Sequence, residues 1–178
     1  MNSLDFTAID FETANVNPNS ACALGIAVVQ AGKIIERMSW LIRPPTSEFS
    51  FTHIHGITWR QVADASDFGE LWPQIRPYLE GRRIAAHNVR FDLGVLFALV
   101  KHYQSGYWRG QAIDSVTVAR RIWPELPNHQ LHTVAAHLRI PLNHHEASSD
   151  ALACAEILCR AEQIQAGTVS AAARWYGR

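Results

Sequence analysis

Asp10 and Glu12 stand two residues apart between apolar neighbours, Ile9 and Phe11, near the start of a 178-residue chain. On a strand, side chains at i and i+2 share a face, so both carboxylates would point the same way. Asp92 and Asp150 each precede an apolar residue, Leu96 and Cys154, by one helical turn. Both therefore fall on the packing stripe of a helical pattern and not on its wet side. Each acid has a plain explanation alone: a D-x-E triplet arises by chance, and an acid in a first helical turn complements the helix dipole. Together they pose a different problem. Four carboxylates on one face raise one another's pKa and destabilise a fold unless protons are shared or cations intervene. Oxygen donors of this kind suit Mg²⁺ or Mn²⁺. Two such ions can clamp the attacking and leaving oxygens of a phosphodiester. His145 lies five residues before Asp150 and is placed to take a proton from an attacking water. The plainer alternative is a loop histidine without a role, and His144 stands next to it.

The elements that must hold these groups follow from patterning. Residues 4–13 read as a strand, and Asn15 to Ser20, rich in Asn and Pro, as a turn. Residues 21–30 and 33–42 form a hairpin across Ala31-Gly32, and Pro44 to Phe51 is loop. Helical spacing covers 59–65 and 67–79, the second capped by Asp67 or Ser66. A short buried strand at 82–87 leads to a helix over 89–103 with the stripe Val89, Leu93, Leu96, Phe97 and Val100. A strand at 111–114 precedes helices over 115–122, 130–138 and 148–165, the last capped by Ser148 or Ser149. Gly167 to Arg178 reads as a short, frayed helical tail. A strand meander followed by alternating helices and strands predicts an α/β fold in one domain over residues 1–178, with its core at about 4–165.

Composition narrows the classes. Sixteen basic and sixteen acidic residues give a formal net charge of zero, which argues against broad electrostatic coating of duplex DNA. A grip on a few nucleotides at a strand end needs no such excess. Cys22, Cys154 and Cys159 form no CxxC pair and read as small core side chains in a reducing compartment. No leader-like N-terminus and no membrane-length apolar run is visible, so a cytoplasmic location is expected. The pairs His53/His55 and His129/His132 have metal-ligand spacing but no accompanying cysteine, so zinc is not the expectation there. Trp40, Trp59, Trp72 and Trp123 read as packing residues.

Three segments carry a resemblance: Asp10-Phe11-Glu12-Thr13, Ala86-His87-Asn88-Val89-Arg90-Phe91-Asp92, and His145-Glu146-Ala147-Ser148-Ser149-Asp150-Ala151. In order and spacing they resemble the three motifs of the DEDDh exonucleases, a group that includes the proofreading subunit of bacterial DNA polymerase III. The resemblance spans roughly residues 4–165. It implies an RNase H-like mixed sheet and 3′→5′ exonuclease activity by a two-metal mechanism with Mg²⁺ or Mn²⁺. By similarity, Asp10 bridges both metals, Glu12 and Asp150 hold the one carrying the nucleophilic water, Asp92 serves the second, and His145 is the general base. The segment from Phe51 to Thr58 resembles the family's HGIT element. It implies contacts to the terminal nucleotide from Phe51, Ile54 and His55, joined by Thr13 and by Asn88 at a phosphate. Ser115 stands where many relatives carry Thr. About a dozen residues follow the last expected helix, so a polymerase-binding extension is not indicated.

Three functions compete on sequence alone. The first is cleavage of single-stranded DNA from its 3′ end with release of nucleoside 5′-monophosphates, in proofreading or repair. The second is the same chemistry on RNA ends or short oligoribonucleotides. The third is an inactive nucleic-acid-binding module, which the intact set of four acids and a histidine disfavours. A homodimer is compatible with the sequence, though no apolar stripe marks an interface.

Overall fold

The structure, a computed structural model, describes residues 4–177. In chain order its elements are β1 (Phe6–Thr13), β2 (Ala21–Gln30), β3 (Lys33–Leu41), α1 (Thr52–His55), α2 (Trp59–Val62), α3 (Phe68–Leu79), β4 (Ile84–Ala86), α4 (Val89–His102), β5 (Gly110–Asp114), α5 (Ser115–Ile122), α6 (Leu131–His137), α7 (Ala147–Ile164), α8 (Thr168–Ala172) and β6 (Arg174–Tyr176). The sheet order is β3-β2-β1-β4-β5-β6. β1, β4 and β5 run parallel, while β2, β3 and β6 pair antiparallel with their neighbours. Ala31 and Gly32, at φ 49° and 74°, close the expected hairpin in the positive-φ conformation with which a two-residue turn matches the right-handed twist of its strands.

Two cores sandwich the sheet, and strand periodicity decides which residues join each. Ile9 and Phe11 of β1 face the core shared with Phe68, Ile75, Leu93 and Leu96 of α3 and α4. Phe6 and Ala8 face the opposite core, with Val118, Cys154, Ile157 and Leu158 of α5 and α7. Asp10 and Glu12 continue the Phe6–Ala8 face. β1 therefore runs from core into site along one row of side chains. Among the described residues, no helix is long and apolar enough to cross a membrane. The three cysteines are free, Cys22 and Cys154 buried and Cys159 partly so.

Three expectations need correction. The tail is no frayed helix: α8 docks through buried Thr168 and Val169, and β6 adds an edge strand against β5. Only three residues make that strand, and Trp175 is 74% exposed, so the segment carries no alternating pattern to read. Thr52–His55 forms a single helical turn where no element was expected, too short to show a period. The cap of α7 is Glu146, whose carboxylate accepts from the Ser148 and Ser149 N–H groups, so both serines lie inside the first turn.

Candidate active site

β1 and α7 deliver the acids. Asp10 lies opposite Gly25 in the β1–β2 register. A Cβ at Gly25 would run into the Ala147 carbonyl and the Ser148 nitrogen, so the missing side chain is what lets the first turn of α7 rest on β2. That contact brings Asp150, in the same turn, over the strand. Carboxylate oxygens of Asp10, Glu12 and Asp150 all lie within 4.8 Å of one another. They line a cavity of about 630 Å³ whose wall includes Thr13, Phe51, Ile54, His55 and His145.

Asp92 is reached through the backbone. The β1–β4 pairing covers only Thr7 and Ala8, because β4 is three residues long. Beyond it the Phe11 N–H lacks a strand partner and donates instead to Asp92 Oδ1 at 3.0 Å. Asp92 is 1% exposed, and its charge is felt at Asp10 and Glu12.

Burial is the main cause of raised pKa values throughout this cluster, with mutual repulsion added. Asp10 lies well above the usual carboxylate range, through burial and then Asp92, Asp150 and Glu12. Glu12 is pushed to about 8 by burial and then by Asp150 and Asp92. Asp92 also rises to about 8 through burial, against the bond from Phe11 N–H. Asp150 is raised by burial and partly restored by the His145 N–H and the His144 ring. Asp150 Oδ1 is buried with no hydrogen-bond partner. An orphaned carboxylate oxygen beside two further acids fits a divalent cation, which would satisfy it and neutralise the cluster.

A pH dependence follows from these directions. Folding raises the acids' pKa values, so between the ordinary carboxylate range and about 8 the folded chain binds more protons than the unfolded one. Their contribution to stability is therefore lost as pH rises towards 8. His87 opposes this only below its ordinary value of 6.5, since its own pKa is depressed to about 4. In EDTA the melting temperature should fall from pH 6.5 to 9. Mn²⁺ at a hundredfold excess over its Kd should raise it by about 5–10 °C near pH 8. A metal-free melting curve that is flat in pH would contradict the raised carboxylates.

The histidines divide sharply. His145, at φ 67°, donates its N–H to Asp150 Oδ2 at 3.0 Å and presents its ring to the cavity. Burial, then His144, lowers its pKa. His144 Nδ1 lies 3.0 Å from the same Asp150 oxygen, and the two rings stack with centroids 3.9 Å apart. His55 is a scaffold: its Nδ1 accepts from the Ile57 N–H, so Nε2 carries the proton and donates to the Thr13 carbonyl at 3.1 Å. Asn88 is exposed at the N-cap of α4, its N–H bonded to Asp114, and it does not line the cavity.

Sequence reasoning assigned no role to His87, Phe91, Gln130, Leu131 or His132, all of which line the cavity. His87 Nε2 donates to the His129 carbonyl and its Nδ1 accepts from the Ser115 hydroxyl, so it is held neutral. The serine at position 115 thus has a specific partner 28 residues away, and no local pattern could show it.

Comparison with known proteins bears on the family and the fold. The exonuclease family model RNase_T matches residues 7–158. The PolC-type DNA polymerase III of Clostridium perfringens strain 13 is 28% identical over 158 residues, or 86% of this chain. This chain spans only 11% of that polymerase. Exonuclease X, solved with 5′ overhanging duplex DNA, superposes with a TM-score of 0.77 at 25% identity, over 94% of this chain and 96% of its own. The nuclease domain of 3′hExo, a DEDDh family member bound to rAMP, superposes at 0.78 and 15% identity over 99% and 98%. The six-stranded mixed sheet is the α/β, RNase H-like exonuclease fold. With the family model matched across most of its length and the acids gathered on β1 and α7, the chain belongs to the exonuclease family, in its DEDDh 3′–5′ group.

Proposed function

We propose that the chain removes nucleotides from the 3′ ends of single-stranded DNA, releasing nucleoside 5′-monophosphates. The observation that carries this reading is the convergence of Asp10, Glu12 and Asp150 within 4.8 Å in one cavity, with the His145 ring beside them. The family is divalent-metal dependent. Asp10, Glu12, Asp92 and Asp150 are the residues that would hold the ions, two Mg²⁺ or Mn²⁺, with Asp10 shared between them. When bound, such ions supply Lewis acidity and an acidified water.

The chain's own groups do the rest. His145, with its pKa below the ordinary 6.5, is unprotonated near neutral pH and accepts the proton of the attacking water. Its backbone bond to Asp150 keeps the imidazole beside the acids. Ile54 and Phe91 remain 41% and 48% exposed at the cavity, apolar surfaces on which an unpaired terminal base can stack. Phe51 adds to that wall. Thr13, with its carbonyl fixed by His55, borders the terminal nucleotide. Asn88, exposed beyond the cavity, is left for the next phosphate. Exonuclease X, at 25% identity, was solved with DNA, and this supports DNA over RNA. The likeness to part of PolC-type polymerases supports work on ends that a polymerase makes.

The test is a time course on a 5′-labelled single-stranded DNA with Mg²⁺ or Mn²⁺, beside a matched RNA. A ladder shortening from the 3′ end of DNA is expected, and strict RNA preference would transfer the activity to RNA ends. His145→Ala should slow turnover by roughly a hundredfold or more while cation binding persists. The same loss in His144→Ala with none in His145→Ala would make the neighbouring ring the base.

A further inference from the structure

Among the imidazoles at the cavity that the proposed reaction leaves unused, His144 stands next to the proposed base. His144 is adjacent to His145, and consecutive side chains ordinarily diverge. The left-handed backbone at His145 instead stacks the two rings at an interplanar angle of 17°. Ligand atoms of His144, His145 and Asp150 all lie within 4.8 Å of one another, a grouping separate from the Asp10–Glu12–Asp150 cluster and sharing one acid with it. Asp150 is 3% exposed, and its Oδ2 faces both histidines by way of the His144 ring and the His145 N–H.

Two imidazole nitrogens and one carboxylate oxygen are the donor set of a borderline cation such as Zn²⁺. Mg²⁺ and Mn²⁺ favour oxygen. Ligands at about 2.0–2.1 Å around tetrahedral Zn²⁺ stand about 3.3–3.4 Å from one another. The His144 Nδ1 to Asp150 Oδ2 separation is 3.0 Å, so that pair has to open by only a few tenths of an ångström. The His145 ring must open from its stack, and the His144 side chain, 35% exposed, has room to turn with it. We infer that His144, His145 and Asp150 form a second metal site that takes Zn²⁺. Occupancy ties up the His145 ring and one oxygen of Asp150, so Zn²⁺ shuts the exonuclease centre. That consequence rests on the proposed function, whereas the site itself does not.

The experiment titrates Zn²⁺ into the full chain in millimolar Mg²⁺, read by competition with a chromophoric zinc indicator. His144→Asn keeps a donor towards Asp150 but removes the imidazole, and should weaken binding roughly tenfold or more. Asp10→Asn, outside the three ligands, should leave binding unchanged. Histidine ¹⁵N shifts on zinc addition should mark positions 144 and 145. Zinc binding that survives His144→Asn and disappears in Asp10→Asn would put the ion in the carboxylate cluster and overturn the site, as would no binding by the wild type. In the DNA assay, zinc sensitivity relative to each variant's own zinc-free rate should fall roughly tenfold in His144→Asn. Sensitivity equal to wild type would overturn the inhibitory role. If no substrate is cut, the functional reading fails while the titration still decides the site.

Discussion

Asp10→Asn is expected to stop turnover and yet to stabilise the metal-free chain. Asp10 sits among Asp92, Asp150 and Glu12, each of which pushes its pKa up after burial has already done so. A neutral amide removes one of the charges that raise the others, and it asks for less desolvation. The melting temperature in EDTA should therefore rise, most clearly above pH 7, where the wild-type acids are losing protons. Activity moves the other way. If Asp10 is the ligand shared by both ions, its loss removes several kcal/mol of charge stabilisation, and at about 1.4 kcal/mol per decade that is a thousandfold or more in rate. A 5′-labelled DNA time course and a thermal melt on the same preparation check both. A variant that cuts at wild-type rate refutes the shared-ligand assignment. One that melts lower in EDTA refutes the electrostatic account of the cluster.

How far this site was readable from sequence depends on the distance over which each signal acts. Asp10 and Glu12 were legible because a strand fixes i and i+2 on one face, and their neighbours Ile9 and Phe11 are fully or nearly fully buried. Asp92 and Asp150 were legible because a 3.6-residue stripe placed them inward, and both are buried. The hairpin, α4 and α5 lie within a residue or two of their expected bounds. What escaped depends on tertiary contact. Ser115 looked like a mild variation at a helix start until its hydroxyl met His87. Glu146 was passed over as the α7 cap because serine is the commoner capping residue and two stood next in line. The choice between His144 and His145 cannot be made from spacing, since both reach the same Asp150 oxygen, one through its ring and one through its backbone.

Gly25 is the residue whose importance spacing could not show, and its replacement should be the most damaging single change outside the acids and His145. It is a strand glycine with an ordinary negative φ, so conformational freedom does not explain it. Space does. The Ala147 carbonyl and the Ser148 nitrogen occupy the place of a Cβ, and both are backbone atoms of a helix that packs across β1 and β2. No side-chain rotation can relieve that overlap, so Gly25→Ala must lift the start of α7 from the sheet. Overpacking costs about 1–3 kcal/mol where side chains can adapt. With only backbone to move, the upper end is expected, or about 6–12 °C in melting temperature at this chain length. The chemical effect should exceed the thermodynamic one. Asp150 rides on the lifted turn, and a displacement of about 1 Å between groups that must act together costs roughly a hundredfold in rate. Gly25→Ala should therefore be slow even at temperatures where it is folded, and should need more Mn²⁺ to reach its maximal rate. Gly94→Ala is the matched control. It lies in α4 with no atom within 4 Å of its Cβ position, and alanine there should stabilise by about 0.5–1 kcal/mol. Equal activity in the two glycine variants would show that the closeness of α7 to β2 does not set the position of Asp150.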